Sequence, residues 1–339
     1  MCSAKWLNPK TNESKIIGRD KLELSQDFVH QPIQGCGPMV ATFAQIVDLL
    51  RCPDDAEPLR YASGDLLCPR CARRFSIYEE DLAEILPSRP HALPGTVSPQ
   101  YRNAYIEAFE QNYRDDETSL AWGAEESVSQ TWALKRLRQV KFVRPLISEG
   151  NRFNESVLCD ISAGAGYYTF AYAPAFRFVL HCDLSVSNLS YARRKARALG
   201  IRNILFIRAD YFAPPFQGSL DRLLCLDTLI RGEGHDFALL TAIANSLKPT
   251  GCAIVDFHNW WHNPLRRLGL LPENFSNNRS YRRAEAEHLL RAAGIEEFSL
   301  IPFLQEFDAD SATGRQLARI VPPTRLVYRF APGCDVASP

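Results

Sequence analysis

From about residue 155 onward, short apolar runs of strand length alternate with helical stretches. Five such runs lie at 156–161, 176–182, 204–207, 221–226 and 252–257. Between them, stretches such as Ser187–Leu199 and Phe237–Leu247 have helical character. Strands that alternate with helices predict βαβ units, in which helices cover both faces of a parallel sheet. We therefore expect an α/β fold in this half of the chain.

The chain continues with one more helix and two more strands. Arg282–Ala293 is helical in pattern and is followed by Gly294, a residue typical of helix ends. Segments 298–304 and 324–330 then have strand character, and we expect them to pair with each other. With these two, the predicted sheet has seven strands and is mostly parallel.

Composition excludes several classes of protein. Apolar residues make up 46% of the 339 residues, which is ordinary for a globular protein. Lys+Arg and Asp+Glu number 39 each, so no global field draws the chain to DNA or to an anionic membrane. Nowhere do 18 apolar residues run together, and we expect no membrane span. A local basic patch for RNA remains open but is not favoured.

The cysteines bear on the compartment. Of ten, four fall inside the apolar runs, where a thiol behaves as a small hydrophobe: Cys159, Cys182, Cys225 and Cys252. Buried thiols of this kind suit a reducing environment. The first 15 residues contain no apolar core of the kind that a signal peptide needs. We expect a cytoplasmic protein.

Four stretches divide the chain. Residues 1–40 are polar and predict an N-terminal arm, and residues 41–87 form a compact cysteine-bearing unit. Residues 88–150 open with a proline-rich linker and continue as a helical segment, because apolar side chains recur there at three- and four-residue steps. Residues 151–333 hold the alternating strands and helices.

The ends of the predicted strands carry small residues and acids. In an open α/β sheet, ligands bind beyond the carboxyl ends of the strands, where the winding reverses. Small residues let the backbone approach a ligand, and an acid one βαβ step later accepts hydrogen bonds from a ribose diol. These positions are Asp160, Ser162, Ala163, Gly164 and Gly166 after the first strand, Asp183 and Leu184 after the second, Asp210 and Tyr211 after the third, and Asp227 after the fourth.

Together these positions resemble the class I S-adenosylmethionine-dependent methyltransferases. That family has an acidic-x-Gly-x-Gly-x-Gly loop after strand one and acids after strands two and three. The resemblance covers roughly residues 130–330 and includes Leu247-Lys248-Pro249-Thr250-Gly251, which is similar to a frequent turn of the family. It implies a Rossmann-like methyltransferase fold, with a mostly parallel seven-stranded sheet and helices on both faces, and S-adenosyl-L-methionine as the cofactor.

The same resemblance implies roles for individual residues. Asp160, Ala163, Gly164 and Gly166 would line the methionine end, Asp183 would hold the ribose, and Asp210 with Tyr211 would hold the adenine. Ser162 departs from the family, since it replaces the first glycine of the loop. A positive φ there would strain the serine by roughly 1–2 kcal/mol. Weakened, not abolished, binding is the expectation.

Simpler interpretations of these acids remain open. Asp183 alone could cap the following helix, and Asp210 alone could be a turn residue. A nicotinamide dehydrogenase fits worse, because Gly-x-Gly-x-x-Gly is absent from the loop. A degenerate, non-catalytic methyltransferase fold is a further alternative.

The cysteine-bearing unit contains two metal-binding knuckles by spacing. Cys52 and Asp55 stand three residues apart, as do Cys68 and Cys71. The pattern resembles the small zinc-ribbon protein that activates tRNA and protein methyltransferases, and similar ribbons precede bacterial methyltransferase domains. The resemblance implies a structural zinc, with Asp55 in place of one cysteine. A ribbon that has lost its metal remains the alternative.

Three histidines are candidates for chemistry at the methyl acceptor. His258 and His262 follow the fifth strand and flank Trp260-Trp261, a wall that suits a flat or apolar acceptor, while His235 follows the fourth strand. Ordinary packing and hydrogen bonding remain open for each of them. The signature Asn/Asp-Pro-Pro-Tyr of nucleobase amino methylation is absent from the fourth strand. We expect a small-molecule acceptor with an O or N nucleophile, RNA methylation being the alternative.

Overall fold

The computed structural model describes six stretches of the chain: residues 40–89, 129–148, 155–229, 234–263, 280–306 and 320–331, with a few single positions between them. The predicted arm at 1–39 and the helical pattern around residues 101–112 lie outside the described residues. Among the described residues, helix α1 is Phe43–Ile46 and helix α2 is Gln130–Ser148.

Five parallel strands form the centre of the sheet. They are β6 (Val157–Ile161), β7 (Phe178–Asp183), β8 (Ile204–Arg208), β9 (Leu220–Cys225) and β10 (Leu247–Asn259). The spatial order is β8-β7-β6-β9-β10, so the chain moves outward in one direction and then returns to the other side of β6. The winding therefore reverses between β6 and β9, the place where open α/β sheets bind ligands.

The closing strands confirm the sequence prediction. Strand β13 (Arg325–Phe330) pairs antiparallel with both β10 and β12 (Phe298–Phe303). The core of seven strands is therefore β8-β7-β6-β9-β10-β13-β12. This arrangement confirms the Rossmann-like, mostly parallel sheet. A short strand β11 (Ser280–Tyr281) adds to β10 at one end.

Helices cover both faces of the sheet because its strands are apolar on both sides. One face packs against α2, α3 (Tyr167–Tyr172) and α4 (Val186–Ala198). The opposite face packs against α5 (His235–Ser246) and α6 (Arg283–Ala292). Successive strand residues such as Leu158 and Cys159 belong to opposite faces, as the period of two requires.

The cysteine-bearing unit extends the same sheet instead of standing apart from it. It contains a three-stranded antiparallel sheet of β1 (Arg60–Ala62), β2 (Asp65–Leu67) and β3 (Arg74–Phe75). Its last strands, β4 (Ile77–Tyr78) and β5 (Leu82–Glu84), continue the main sheet, because β5 pairs in parallel with β8. The main sheet consequently has ten described strands, three more than the predicted seven.

The strand cysteines lie where the apolar pattern predicted. Cys159, Cys182, Cys225 and Cys252 are all buried, and no described cysteine forms a disulfide. Among the described residues, no helix has both the length and the apolar character needed to cross a bilayer.

Candidate functional site

The loop after β6 has three residues in the left-handed region. The φ angles are 59° at Ser162, 55° at Gly164 and 84° at Gly166, where α3 begins. Two of these positions carry glycine, which adopts such angles at no steric cost. Ser162 does not have that freedom. The sequence predicted strain at Ser162 if its φ were positive, and its φ is positive.

Asp183 ties this loop to the end of β7. Its Oδ2 accepts a hydrogen bond from the backbone N–H of Gly164 at 2.8 Å. Its Oδ1 accepts bonds from the N–H of Ser185 at 2.9 Å and from the side chain of Asn188 at 3.1 Å. The helix cap proper is Ser185, which accepts from the N–H of Asn188. Asp183 thus holds the loop that follows β6 at the switch point, and only 7% of Asp183 is exposed.

Asp160 lies below this loop and not beside it. It is buried, and its Oδ2 accepts from the hydroxyl of Thr169 at 2.7 Å. The same hydroxyl is 2.9 Å from Nδ1 of the buried His181. Burial raises the pKa of Asp160 to about 7 and lowers the pKa of His181 to about 3. The side chain of Asp160 therefore supports the loop from inside the domain.

Asp210 follows β8 and is fully buried. Its Oδ1 accepts a hydrogen bond from the N–H of Phe212 at 2.9 Å. Asp210 therefore stabilises a local turn, as the simpler interpretation of this residue expected. The ring of Tyr211 packs against Phe212, with centroids 4.5 Å apart. The ring of His235 meets the ring of Phe212 edge-on, with centroids 5.8 Å apart. Leu184 is buried nearby, and its carbonyl accepts from the side chain of Arg208.

Beyond the switch point, Asp227 is the centre of a cluster of charged groups. It follows β9 with φ 61° and forms ion pairs with Arg136 of α2 and with Arg325 of β13, the latter at 2.8 Å. Its N–H donates to the buried Asp256 at 2.6 Å. His258 Nε2 is 2.9 Å from Asp227 Oδ1. An acid that orients an imidazole in this way can prepare it as a general base.

His262 is bonded differently from His258. Its Nδ1 is within 3.0 Å of the carbonyl of Pro322, and its Nε2 is 3.4 Å from Glu306. The hydrogen bond with Glu306 raises the pKa of His262. Burial alone would raise the pKa of Glu306, but bonds from His262 and Thr324 outweigh burial and lower it to about 2. His262 therefore belongs to a separate ion pair.

Several residues of the Asp227 cluster were missed by sequence reasoning. Arg136 is buried and stacks over Trp132, with 4.6 Å between its guanidinium carbon and the ring centroid. Gln139 donates to Asp256 at 2.7 Å, and Arg325 bonds the same carboxylate at 3.1 Å. These residues lie on α2 and β13, far in sequence from Asp227. The available signal was an arginine inside a predicted helical segment, Arg136, and an arginine inside a predicted strand, Arg325.

In the cysteine-bearing unit, the four predicted ligand residues converge. The ligand atoms of Cys52, Asp55, Cys68 and Cys71 lie within 4.8 Å of one another. Cys52 Sγ is 3.7 Å from Cys71 Sγ, and Cys68 Sγ is 3.5 Å from each oxygen of Asp55. A tetrahedral zinc with Zn–S of about 2.3 Å and Zn–O of about 2.0 Å requires separations of about 3.8 and 3.5 Å. The donor set fits zinc.

The two knuckles have equivalent backbones. Ala56 N–H donates to the carbonyl of Cys52 at 2.9 Å, and Ala72 N–H donates to that of Cys68 at 3.0 Å. Both alanines have φ of 60°. Asp55 therefore occupies the position in the first knuckle that Cys71 occupies in the second, and the substitution leaves the loop geometry intact.

Comparison with known proteins agrees with the fold. Residues 158–251 match the family model described as a methyltransferase domain. This segment begins in β6 and ends inside β10, so it contains the loop Ser162–Gly166, Asp183 and Asp210. No curated protein matches the chain. The fold and the matched segment define the class of domain: a Rossmann-like methyltransferase fold.

Solved structures with this fold are only distantly similar. Phosphoethanolamine N-methyltransferase 2 of Haemonchus contortus, solved with S-adenosyl-L-methionine, is 14% identical over 57% of this chain and 52% of that chain, at a TM-score of 0.44. This chain thus spans about half of that enzyme. Magnesium protoporphyrin IX methyltransferase of Synechocystis PCC 6803, solved with S-adenosylhomocysteine, is 17% identical to this chain. The match covers 68% of this chain and 95% of that chain, at a TM-score of 0.44. Identities this low concern the fold alone.

Replacing Ser162 by glycine is expected to stabilise the protein. Ser162 has φ of 59°, which costs a residue with a Cβ roughly 1–2 kcal/mol, while the added flexibility of glycine costs about 0.5–1 kcal/mol. The expected gain in the free energy of unfolding is about 1 kcal/mol, measured by urea denaturation. The matched control is Ser187→Gly inside α4, which should destabilise. A loss of stability in Ser162→Gly would contradict the strain.

Asp160 and His181 should have opposite effects on the pH dependence of stability. The folded pKa of Asp160 is raised to about 7, so its contribution to stability is lost as pH rises from about 4 to 7. The folded pKa of His181 is lowered to about 3, so its contribution is lost as pH falls below about 6.5. Between pH 4.5 and 6.5 the two contributions offset each other, because both states bind one proton to the pair.

Single variants expose each slope. Asp160→Asn should become less stable as pH falls from 6.5 to 4.5, and His181→Gln should become less stable as pH rises over that range. Each slope should be about 1.4 kcal/mol per pH unit relative to the unsubstituted protein, measured by urea denaturation. Parallel slopes in the two variants would refute this assignment.

Proposed function

We propose that the protein is an S-adenosyl-L-methionine-dependent methyltransferase that methylates an oxygen or nitrogen of a small molecule. One observation carries the proposal: the loop Ser162–Gly166 is held in left-handed geometry at the switch point by Asp183, within a segment that matches a methyltransferase domain. The small residues of a loop of this kind let its backbone approach a ligand at the place where open α/β sheets bind one.

In this proposal, three parts of the site hold the cofactor. The loop Ser162–Gly166 contacts the methionine end, Asp183 accepts hydrogen bonds from the ribose, and Asp210 with Tyr211 holds the adenine. The residues fit, because Asp183 is bonded through both oxygens to rigid protein groups and is thereby fixed in direction. Asp160 acts indirectly, through Thr169 and α3 beneath the loop.

When bound, S-adenosyl-L-methionine supplies a methyl group on a sulfonium sulfur, which the acceptor displaces in line. The protein must orient the acceptor and exclude water. His258 is the proposed base for an acceptor that carries a proton, and Asp227 orients its imidazole at 2.9 Å. Arg136 and Arg325 pair with Asp227 and hold it in place. Trp260 and Trp261 form a wall beside His258 for a flat or apolar acceptor.

Calorimetric titration tests the proposal directly. The purified full chain should bind both S-adenosyl-L-methionine and S-adenosylhomocysteine, with one site per chain and micromolar or tighter affinity. ATP and NAD serve as controls for a general nucleotide site. Binding of NAD in preference to S-adenosylhomocysteine would sink the methyltransferase assignment. Absence of binding by any of the four ligands would favour a non-catalytic scaffold.

We also propose that Cys52, Asp55, Cys68 and Cys71 hold a structural zinc ion. The separations of the ligand atoms and the equivalent knuckles support this. The alternative is a ribbon that has lost its metal. Elemental analysis of the purified protein distinguishes the two, and we expect one zinc per chain. No open coordination position is implied, so the ion would stabilise and not catalyse.

Converting Asp55 to cysteine should tighten zinc binding. Thiolate is a softer ligand than carboxylate, and Asp55 already occupies the equivalent of Cys71, so Asp55→Cys completes a Cys₄ site. We expect affinity for zinc to rise about tenfold or more, measured by competition with a chromogenic chelator. Asp65→Cys, on the neighbouring β2, is the control for an added thiol. Equal affinities in Asp55→Cys and the unsubstituted protein would argue against ligation by residue 55.

A further inference from the structure

We infer that the cysteine-bearing unit positions the adenine-contacting segment, so that metal binding at Cys52 and nucleoside binding at Asp210 are energetically coupled. The inference rests on the proposed function. The adenine segment is defined here as residues 208–216, from the end of β8 to Phe216. Both ends of this segment are hydrogen-bonded to residues of the cysteine-bearing unit.

The first end of the adenine segment is held between two elements. The carbonyl of Arg208 accepts from the N–H of Ile85, which directly follows β5, at 2.9 Å. The N–H of Ala209 donates to the carbonyl of Asp183, the proposed ribose ligand, at 3.1 Å. Asp210 comes next. Its backbone therefore begins from a point fixed on one side by the cysteine-bearing unit and on the other by β7.

The second end is held by residues next to a metal ligand. The N–H of Arg51 donates to the carbonyl of Pro215 at 2.9 Å, and Leu50 forms an antiparallel bridge with Phe216. Leu50 and Phe216 are both buried in the same apolar core. Arg51 immediately precedes Cys52. A ligand of the metal thus lies one residue from the contact that fixes the far end of the adenine segment.

Within the segment, the direction of the Asp210 carboxylate depends on the local backbone. Its Oδ1 accepts from the N–H of Phe212, and its carbonyl accepts from the N–H of Ala213 at 3.0 Å. A shift of Pro215 would therefore turn the tight loop that includes both bonds. The Asp210 carboxylate is buried, so it cannot swing out through solvent to recover a lost contact. Its contact with an adenine amino group therefore depends on the position of this backbone.

The metal fixes the position of Arg51 by joining the two knuckles. Arg51 and Cys52 lie on a short hairpin in which Arg51 bridges Pro58 and the N–H of Cys52 bonds the carbonyl of Glu57. The ligand side chains connect this hairpin to Cys68 and Cys71 of the second knuckle, and an ion pair between Asp54 and Arg73 adds a second link. Loss of the ion leaves the partly exposed Asp54–Arg73 pair as the polar link, so we expect the hairpin to move against the second knuckle and Arg51 to move with it.

Coupling of this kind is reciprocal by thermodynamic necessity. If zinc raises the affinity for the nucleoside by some factor, the nucleoside must raise the affinity for zinc by the same factor. We expect a factor of about ten, within the usual range for coupled sites. This equality is a signature that general destabilisation of an enzyme during an activity assay would not produce.

The test uses the full chain and two titrations. Calorimetry gives the affinity for S-adenosylhomocysteine of the zinc-loaded protein and of protein stripped by a chelator. Chelator competition then gives the affinity for zinc with and without saturating S-adenosylhomocysteine. Circular dichroism and a thermal melt establish that the stripped protein remains folded at the temperature of the titration. Matching factors of about ten in both titrations support the inference.

A pair of variants separates the contact from the metal site. Arg51→Pro removes the N–H that bonds Pro215, and Leu50 has φ −92° and ψ 139°, which a following proline accepts. Arg51→Ala keeps that N–H and loses the same guanidinium contacts, so it is the matched control. Arg51→Pro should bind one zinc per chain yet bind S-adenosylhomocysteine about tenfold more weakly. Arg51→Ala should bind both normally.

The outcomes distinguish failure of the inference from failure of the proposed function. Equal affinity for S-adenosylhomocysteine with and without zinc, in a protein that binds it, overturns the coupling and leaves the methyltransferase assignment standing. No binding of S-adenosylhomocysteine by the zinc-loaded protein overturns the proposed function. If the stripped protein does not stay folded, the Arg51 pair decides, and equal affinities in the two variants overturn the inference.

Discussion

Asp183→Ala is expected to lower the affinity for S-adenosylhomocysteine at least about a hundredfold. The substitution removes the proposed ribose acceptor, and it also leaves the N–H groups of Gly164 and Ser185 without their carboxylate. Hydrogen bonds to a charged group contribute about 1.5–3 kcal/mol each, so loss of the ribose contacts alone approaches this factor. Release of the loop adds to it. Calorimetric titration measures the effect.

A control at the opposite ends of the parallel strands makes this result specific. Asp221 lies near the start of β9 and pairs with Lys248 at 2.8 Å, at the amino ends of the parallel strands. Asp221→Ala should bind S-adenosylhomocysteine with unchanged affinity. Equal affinities in Asp183→Ala and the unsubstituted protein would exclude Asp183 from the nucleoside site and remove the main support for the cofactor assignment.

His258→Gln is expected to reduce kcat by a factor of about 10²–10⁴, the usual contribution of a positioned general base. Glutamine preserves the size of the side chain and a donor toward Asp227 but cannot take up a proton. The affinity for S-adenosyl-L-methionine should stay the same, because His258 is bonded to Asp227 and is not one of the residues proposed to hold the cofactor. Turnover is measured as S-adenosylhomocysteine released with an acceptor identified by screening small phenols, amines and carboxylic acids.

His262→Gln provides the comparison for a neighbouring histidine. His262 is paired with Glu306 and bonded to Pro322, so its loss should reduce kcat far less than the loss of His258. If both variants retain full turnover, the reaction needs no base, and the acceptor is a nucleophile that is already deprotonated at neutral pH. In that case His258 and Asp227 would be structural.

Much of the fold was predictable because the strands are local in sequence. Buried parallel strands are continuous apolar runs, and the ends of β6, β7 and β8 followed within a residue or two from where those runs stop. The proximity of the loop Ser162–Gly166 to Asp183 followed too, because the carboxyl ends of parallel strands meet at one edge. The positive φ at Ser162 was predictable from the glycine that the family places there.

The parts that were missed depend on contacts between distant segments. Asp227 was singled out from the sequence, but its partners Arg136 and Arg325 come from two other elements that no short pattern connects to it. The inward direction of the Asp160 side chain depends on Thr169, nine residues later, whose hydroxyl donates a hydrogen bond to the carboxylate. The pairing of β5 with β8 could not be inferred, because a three-residue strand has no periodicity to detect.

The pairing of β5 with β8 determines how the chain can be divided. Strand β8 is apolar and would otherwise be the last strand of a parallel sheet, with a row of N–H and C=O groups open to any other polypeptide. A fragment that begins at residue 130 would keep every proposed cofactor ligand yet expose that row. A fragment that keeps this edge of β8 covered must therefore start ahead of β5, not at the first strand of the methyltransferase fold.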